Sequence, residues 1–274
     1  MRYRSFGRSG QVVSAVSVLL DGRTKRSAKE WRNLVRLSLD CGINGFEIAG
    51  DSPPVLEGAA EGLSEVEREL LFVTWRPTSF ATDPAHTVEA FVARLGLDYL
   101  DLMAFDGPPP PLDGLRGTRR VRAYGLAGQD AESDLLLSGG AFDALSAPYS
   151  PASGWKERNR IKAAAAQDMA VVAHSICPEH ILPKPEGLLK KSLFRDRAHP
   201  LAGIGGYRFL DNTPGWTAEE LCLAYVLTEP SVTTVRFEVD RPERLERLAA
   251  IAEKDLPTGV AAQIEMARFS VTSA

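Results

Sequence analysis

The regular alternation of short apolar runs with amphipathic stretches limits the possible folds of this chain more than any other feature. Strands separated by helical patterns are typical of βα units around a parallel sheet, because a parallel crossover needs a connection of helix length. Eight such units within 274 residues predict an α/β fold, a (β/α)8 TIM barrel that spans residues 1–274 as a single domain. The eight runs are AVSVLL (15–20), GFEIA (45–49), LLFVTW (70–75), YLDLMAF (99–105), VRAYGL (121–126), FDALSA (142–147), AVVAH (170–174) and VTTVRF (232–237).

Capping signals mark the helices between these runs. Ser27 and Glu30 form a capping box, and Gly42 follows where a helix end favours positive φ, so a helix is predicted over 28–41. Asp83 precedes a proline at the first position of a second helix, which ends at Gly96. Further helices are predicted at 54–62, 131–137, 156–167, 218–227 and 241–252, the last capped by Asp240.

Three segments depart from the βα rhythm. Ahead of the first run, GRSG separates RYRSF from QVV and predicts an N-terminal β-hairpin. The prolines of DGPPPPLDGLRG (106–117) leave little room for a full helix after the fourth strand. Residues 175–213 form a long loop after strand 7 that carries several lysines and arginines. Loops of this length are usually functional or disordered, and one interpretation is that this one closes over an anionic or polar ligand.

Composition narrows the possible partners and compartment. Thirty-two basic and 36 acidic residues give a net charge of −4, which offers no general attraction for nucleic acid or an anionic membrane. The three cysteines are far apart and lack CxxC spacing, and the chain has neither a signal-peptide pattern nor an apolar run of roughly 18 residues. We therefore expect a cytoplasmic protein with a small-molecule substrate, no nucleic acid or membrane partner, and a monomeric or homo-oligomeric state.

The order of several phrases resembles that of the aldo-keto reductases over roughly residues 2–252. LSLDCGINGFEIAG is similar to the family's helix-to-strand junction AxxxGIN-FDTA, and VARLGLDYLDLMAFD to its LxxLGxDYvDLyliH. RRVRAYGLAG resembles GKVRaiGvSN, and the stretch from LCLAYVL to LERL resembles the family's last strand with its two flanking helices. The resemblance implies a barrel that reduces carbonyls with NADPH through an Asp, Tyr, Lys and His cluster.

Carried over residue by residue, that cluster is replaced in this sequence. The family's Asp falls on Glu47, its Tyr on the Asp51-Ser52 pair, its Lys on Arg76 and its His on Asp106. A phenol is needed there because it protonates the developing alkoxide, which a serine hydroxyl does not do. Arginine stays protonated and cannot share a titrating proton as lysine does.

The positions that hold the nicotinamide nucleotide in the family are altered as well. Glu238 and Asp240 fall where a 2′-phosphate would lie, and like charges repel there. No cofactor is therefore expected, with NADPH as the alternative. The replacements on the nicotinamide side are Leu19-Leu20, Ala127-Gly128, Ser146 and His174.

Residues that end barrel strands point into the mouth where active sites are built. Glu47 and Asp106 are predicted to divide base and acid roles, which suits proton abstraction, dehydration, cyclisation or hydrolysis without redox chemistry. A buried ion-pair network is the competing interpretation, and two carboxylates with one imidazole also suit a divalent ion, although no local spacing supports a metal site. The candidate catalytic residues are Glu47, Arg76, Asp106, His174 and Asp51, and the candidate substrate-binding residues are Trp75, Asp21, Ser52, Ser146 and Cys177.

Three functions stay open at this point. The first is an aldo-keto-reductase-like enzyme that has lost NADPH-dependent reduction and carries out redox-neutral lyase, isomerase, cyclase or dehydratase chemistry on a small oxygenated metabolite. The second is a divergent NADP(H)-dependent oxidoreductase. The third is a non-catalytic binding or scaffold protein.

Overall fold

A computed structural model describes residues 1–80, 83–128, 131–178, 207 and 209–271. The chain opens with an antiparallel hairpin of β1 (Tyr3–Phe6) and β2 (Gln11–Ser14), joined by a short 3₁₀ turn. Gly10 ends the turn at φ +67°, a conformation that favours glycine. The predicted N-terminal hairpin is confirmed.

Eight parallel strands follow and close into a barrel, with the last strand paired to the first. Each lies on one of the eight apolar runs, with ends shifted by at most two residues, so the predicted (β/α)8 fold is confirmed. The strands are β3 (Val16–Asp21), β4 (Gly45–Ala49), β5 (Phe72–Arg76), β6 (Leu100–Phe105), β7 (Val121–Leu126), β8 (Ala144–Pro148), β9 (Ala170–His174) and β10 (Thr234–Phe237).

The helices begin and end largely where the capping signals indicate. Ser27 and Glu30 form both bonds of the capping box, Gly42 follows the helix at φ +78°, and Asp83 accepts from two backbone N–H groups of its helix. These helices are α1 (Ala28–Asp40), α2 (Pro53–Leu63), α3 (Pro84–Arg94), α4 (Leu112–Gly117), α5 (Ala131–Ser138), α6 (Trp155–Ala165), α7 (Phe209–Asn212), α8 (Ala218–Leu227), α9 (Pro242–Ile251) and α10 (Val260–Val271).

Two details differ from the sequence prediction. Asp240 does not cap α9, since Arg241 is the N-cap residue and the Asp240 carboxylate accepts from the side chains of Arg241 and Arg244 instead. Helix α10 was not predicted from the sequence. The short α4 agrees with the expectation that prolines leave no room for a full helix after the fourth barrel strand.

Strand alternation divides the core into two parts. Outward side chains such as Val18, Ile48 and Val73 pack against the helices in one large buried cluster. A second, smaller cluster fills the N-terminal half of the barrel interior, where inward residues of β5 to β9 meet Phe6 and Val13 of the hairpin. The hairpin therefore seals this end of the barrel, and the interior is polar only toward the carboxyl ends of the strands.

Polar contacts fasten the sealed end. Asp101 at the start of β6 is 1% exposed and accepts from the Gln11 side chain of the hairpin, the Arg68 guanidinium and the Val73 backbone N–H. Arg8 of the hairpin binds the Asp143 carboxylate at 2.8 Å. A buried carboxylate with this many donors ties the hairpin to two barrel strands.

Helices α1 and α2 approach closely at a glycine. A Cβ atom on Gly58 would lie 2.5 Å from the Trp31 Cβ and closer still to the Ala28 carbonyl oxygen. The missing side chain thus lets the two helix backbones meet.

Most of the predicted long loop after strand 7 lies outside the described residues, and so do the basic side chains between 184 and 208. Among the described helices, none combines the length and apolar character needed to cross a bilayer.

Candidate functional site

Four of the candidate catalytic residues meet at the open end of the barrel. Glu47 lies inside the barrel at the middle of β4, Arg76 ends β5, Asp106 follows β6, and His174 ends β9. Because side chains alternate along a strand, these positions share the inward face with the buried polar residues below them. The structure brings the four residues to one place, and their catalytic roles stay predictions.

Glu47 is held between two guanidinium groups. Its carboxylate accepts from Arg236 Nη1 at 2.5 Å and lies 3.0 Å from Arg76 Nε, and its side chain is only 6% exposed. Arg76 also donates from Nη1 to Asp106 Oδ1 at 3.3 Å, where the Asp106 side chain is 62% exposed. The geometry is that of the ion-pair network considered from the sequence, with a second arginine added.

Arg236 is the site residue that sequence reasoning missed. In the run VTTVRF it occupies the inward face with Thr234, whereas Val235 points to the outer core. An arginine on the inward face of a barrel strand needs a buried anion, so its presence in an apolar run was the available signal.

A small cavity lies directly beneath Glu47. Its volume of about 10 Å³ is close to that of one enclosed water, and Ser17, Thr74 and Thr234 line it together with Glu47. Thr234 Oγ1 is buried and has no hydrogen-bond partner among the described residues. The cavity therefore suits a structural water that would link this hydroxyl to the ion-pair network.

His174 is uncharged at neutral pH. Burial, followed by the positive charges of Arg236 and Arg76, lowers the pKa of its imidazole to about 3. Nδ1 lies 3.0 Å from Ser175 Oγ, and Ser175 itself has a φ of +51° that turns the chain away from the strand. A neutral ring at this position is a hydrogen-bonding group rather than a cation.

A second ion pair lies on the rim. Asp21 at the end of β3 accepts from the backbone N–H and the guanidinium of Arg23, whose hydrogen bonds and charge outweigh burial and hold the Asp21 pKa below its usual range. Glu238, 61% exposed, lies 3.6 Å from the same guanidinium. Asp21 is therefore a partner of Arg23 within the described structure.

The remaining candidate binding residues are dispersed. Trp75 points away from the lumen, stacks on Phe91 of α3 and donates from Nε1 to the Gly50 carbonyl. Together with the exposed Asp51 it borders a 280 Å³ pocket on the outer side of the barrel. Ser52 lies against Gly22 at the start of α2. These three residues do not line the lumen.

Ser146 and Cys177 are the last two candidates, and Cys177 borders a pocket together with Arg236. Ser146 is inward-facing on β8, and its buried Oγ has no partner among the described residues. Cys177 is half-buried and hydrogen-bonds with the Cys222 thiol, which raises the pKa of Cys222. None of the three cysteines forms a disulfide bond.

All six tyrosines lie in the described part of the chain, and none of their hydroxyl groups points into the barrel lumen. Tyr99 lies at the sealed end between the guanidinium groups of Arg68 and Arg122, and Tyr124 belongs to the outer core. The other four hydroxyls donate hydrogen bonds elsewhere: Tyr3 to the Gly42 carbonyl, Tyr149 to Glu229, Tyr207 to the Pro151 carbonyl and Tyr225 to Glu265.

A pocket of 250 Å³ opens between β9, β10 and α8. It is bordered by His174 and Arg236 on its inner side and by Arg244 on its outer side. Arg244 is fully engaged, because it binds Glu219 through Nη2 at 2.5 Å and the Glu238 carbonyl through Nη1 at 2.7 Å. Within the described ranges, no group of three or more His, Cys, Asp or Glu side chains is arranged to hold a metal ion.

Comparisons of the sequence and of the structure both find aldo/keto reductases. Residues 20–268 match the profile of the Aldo/keto reductase family. An aldo-keto reductase from Bacillus halodurans in its holo form superposes with a TM-score of 0.74 at 17% identity, over 97% of this chain and 95% of that one. A thermostable aldo-keto reductase in complex with the inhibitor epalrestat gives 0.73 at 19% identity, over 98% and 99%. No curated protein matches the chain.

The family match bears on the cofactor expectation. Aldo-keto reductases normally bind NADP(H), which agrees with the NADPH alternative rather than with the expectation that no cofactor is used. At these identities the solved structures support the fold alone.

Proposed function

This chain belongs to the aldo/keto reductase family, and we propose that it carries out redox-neutral acid–base chemistry on a small oxygenated metabolite instead of NADPH-dependent carbonyl reduction. The observation that carries the proposal is the composition of the mouth. An exposed carboxylate (Asp106), a guanidinium (Arg76) and a neutral imidazole (His174) face one opening, while every phenol of the chain lies elsewhere.

The proposed step is a proton transfer next to a carbonyl group. Asp106 accepts the proton from the carbon adjacent to the carbonyl, and N–H groups of Arg76 donate to the oxygen as negative charge develops on it. In a hydroxy ketone or hydroxy aldehyde, the proton returns to the former carbonyl carbon while the hydroxyl proton is transferred to the former carbonyl oxygen; this completes an isomerisation, and no electrons leave the substrate. Asp106 suits the base role because its carboxylate reaches solvent and, among the described residues, forms one side-chain hydrogen bond, with Arg76.

Glu47 and His174 have different tasks in this proposal. Glu47 is a positioning residue, since its carboxylate is occupied by two guanidinium groups and is nearly inaccessible. This differs from the sequence interpretation, in which Glu47 shared the acid and base roles. His174 remains neutral and offers the substrate a hydrogen-bond donor or acceptor.

The residues around the 250 Å³ pocket do not suit an anionic dinucleotide. Its cationic outer residue, Arg244, already binds Glu219 and Asp240, so its donors are not available to a phosphate. Glu219 and Glu238 add negative charge to the lining. On the inner side Leu19 is 4% exposed and in register with Glu47, where it fills space beside the ion pair.

NADPH-dependent carbonyl reduction is the second candidate function. The family match over residues 20–268 favours it, because members of this family normally use that cofactor. Isothermal titration of the purified protein with NADPH separates the two candidates. We expect no saturable binding in the micromolar range, and micromolar binding would overturn the redox-neutral proposal.

Solvent-isotope exchange tests the proposed chemistry itself. Small hydroxy ketones and hydroxy aldehydes are incubated with the protein in D₂O without nicotinamide, and deuterium uptake next to the carbonyl is followed by NMR. We expect Asp106→Asn to lower the exchange rate by about 10²-fold or more, the usual contribution of a general base. Asp113→Asn on α4, at a fully exposed carboxylate, is the matched control and should leave the rate unchanged. Exchange that is equal in both variants contradicts the assigned base.

A further inference from the structure

The guanidinium of Arg236 is buried with most of its donors unused. Its side chain is 9% exposed, and its hydrogen bond within the described structure is the one from Nη1 to Glu47. A guanidinium carries five N–H donors in a rigid planar fork, and the bond to Glu47 uses only one of them. The donors left by Glu47 have no acceptor among the described residues, and Arg236 borders the 250 Å³ pocket.

The pocket has the size and lining of a small-ligand site. A volume of 250 Å³ lies just below the range of about 300–1,000 Å³ that is usual for small-molecule pockets. Leu19, Ile176 and Phe237 supply apolar wall, while His174 and Ser175 add hydrogen-bonding groups. A compact ligand with one polar end and a short carbon skeleton matches this combination.

The charged side chains around Arg236 indicate which charge the polar end of the ligand carries. Glu47 is shared between Arg76 and Arg236, and Asp106 supplies a second negative charge that pairs with Arg76. Among the described residues Arg236 has only its share of Glu47, so an anion beside it would complete its pairing. The other charged groups facing this region are paired or largely solvated, namely Asp106, Glu219, Glu238 and Arg244.

A singly charged carboxylate satisfies these conditions better than a phosphate. The two carboxylate oxygens match the fork of a guanidinium, which binds them through parallel hydrogen bonds. A phosphate monoester brings close to two negative charges, and Glu219 and Glu238 in the same lining repel the second.

We propose that Arg236 binds the carboxylate group of the substrate in this pocket, so that the substrate class is small hydroxy or oxo monocarboxylates. Its reacting carbon would then lie toward Arg76 and Asp106. Assigning the bound carboxylate as the substrate rests on the proposed function, whereas the binding site itself does not.

Binding of simple anions tests the inference without turnover or cofactor. Glycolate, acetate and inorganic phosphate are titrated into the protein at pH 7 and constant ionic strength, and affinity is measured by calorimetry and thermal shift. We expect saturable glycolate binding that Arg236→Met weakens at least tenfold, the lower range for a lost charge-assisted hydrogen bond. Arg2→Met, at a 52% exposed arginine that pairs with Asp255 and is not in the pocket lining, is the matched control and should bind as the native protein does.

A second readout uses the native protein alone and covers the case in which Arg236→Met does not fold. A carboxylate beside Arg236 offsets the positive charge near His174, so glycolate should raise the pKa of His174 in an NMR titration of the imidazole. Phosphate binding as tight as glycolate binding, unchanged affinity in a folded Arg236→Met variant, or an unmoved His174 titration each overturn the inference. Micromolar NADPH binding together with intact glycolate binding would remove the proposed function and leave this site standing.

Discussion

Protonation of His174 gives a sharp test of the electrostatics at the barrel mouth. Burial and the positive charges of Arg236 and Arg76 lower its pKa in the folded protein from 6.5 to about 3. In His174→Gln the ring is replaced by a neutral amide that does not titrate. The two proteins therefore differ in how their stability responds to acid.

The sign and size of the difference follow from proton linkage. Between pH 6.5 and pH 3 the unfolded chain binds a proton at His174 and the folded chain does not, so acidification favours unfolding. For an unfolded pKa of 6.5, protonation of the unfolded chain lowers the free energy of unfolding by about 2 kcal/mol between pH 7 and pH 5. The value hardly depends on the folded pKa so long as that pKa stays below about 4.

Urea unfolding at pH 7, 6 and 5 measures the effect. We expect the native protein to lose about 2 kcal/mol more than His174→Gln over this range, with equal m-values. The other three histidines are common to both proteins and cancel in the comparison. Parallel stability curves would refute the buried, arginine-flanked environment assigned to His174.

Three further substitutions test the interior. Glu47→Gln leaves two guanidinium groups without their shared carboxylate and should lower the free energy of unfolding by about 3 kcal/mol. The control is Glu61→Gln, at an exposed pair with Arg32, which should lower it by less than about 1 kcal/mol in the same urea assay. Asp101→Asn weakens the bonds that hold the hairpin to the sealed end, and we expect a loss of about 3 kcal/mol and faster hydrogen exchange in β1 and β2. Gly58→Ala should cost about 2 kcal/mol by forcing α1 and α2 apart, despite the better helix propensity of alanine; thermal unfolding at or above the native midpoint would contradict the close approach.

The barrel was readable from the sequence because each of its signals is local. An apolar run next to a capped helix is encoded within about ten residues, as with Ser27, Glu30 and Gly42 around α1. Asp240 was predicted wrongly although its partners are also local. Its carboxylate has a choice between a backbone N–H and nearby guanidinium groups, and it binds Arg241 and Arg244.

The site was only partly readable. Strand ends identify Arg76 and His174 as neighbours, because parallel strands bring their carboxyl ends to one opening, and the alternation along β4 turns Glu47 toward them. The partner that decides the role of Glu47 is Arg236, which lies 189 residues away and contacts it only once the barrel closes. Trp75 was also misplaced, because neighbouring side chains on a strand point to opposite faces. Arg76 faces the lumen, whereas Trp75 faces the helices and stacks on Phe91.

The hairpin seals one end of the barrel, so the interior is open only at the other end within the described structure. A molecule bound beside Arg76 and Asp106, above the buried Glu47, must leave through the opening by which it entered. Substrate and product therefore exclude each other at that place, and each new cycle must wait until the opening clears. For such a shape, product inhibition that competes with the substrate is a geometric consequence of Phe6 and Val13 closing the far end.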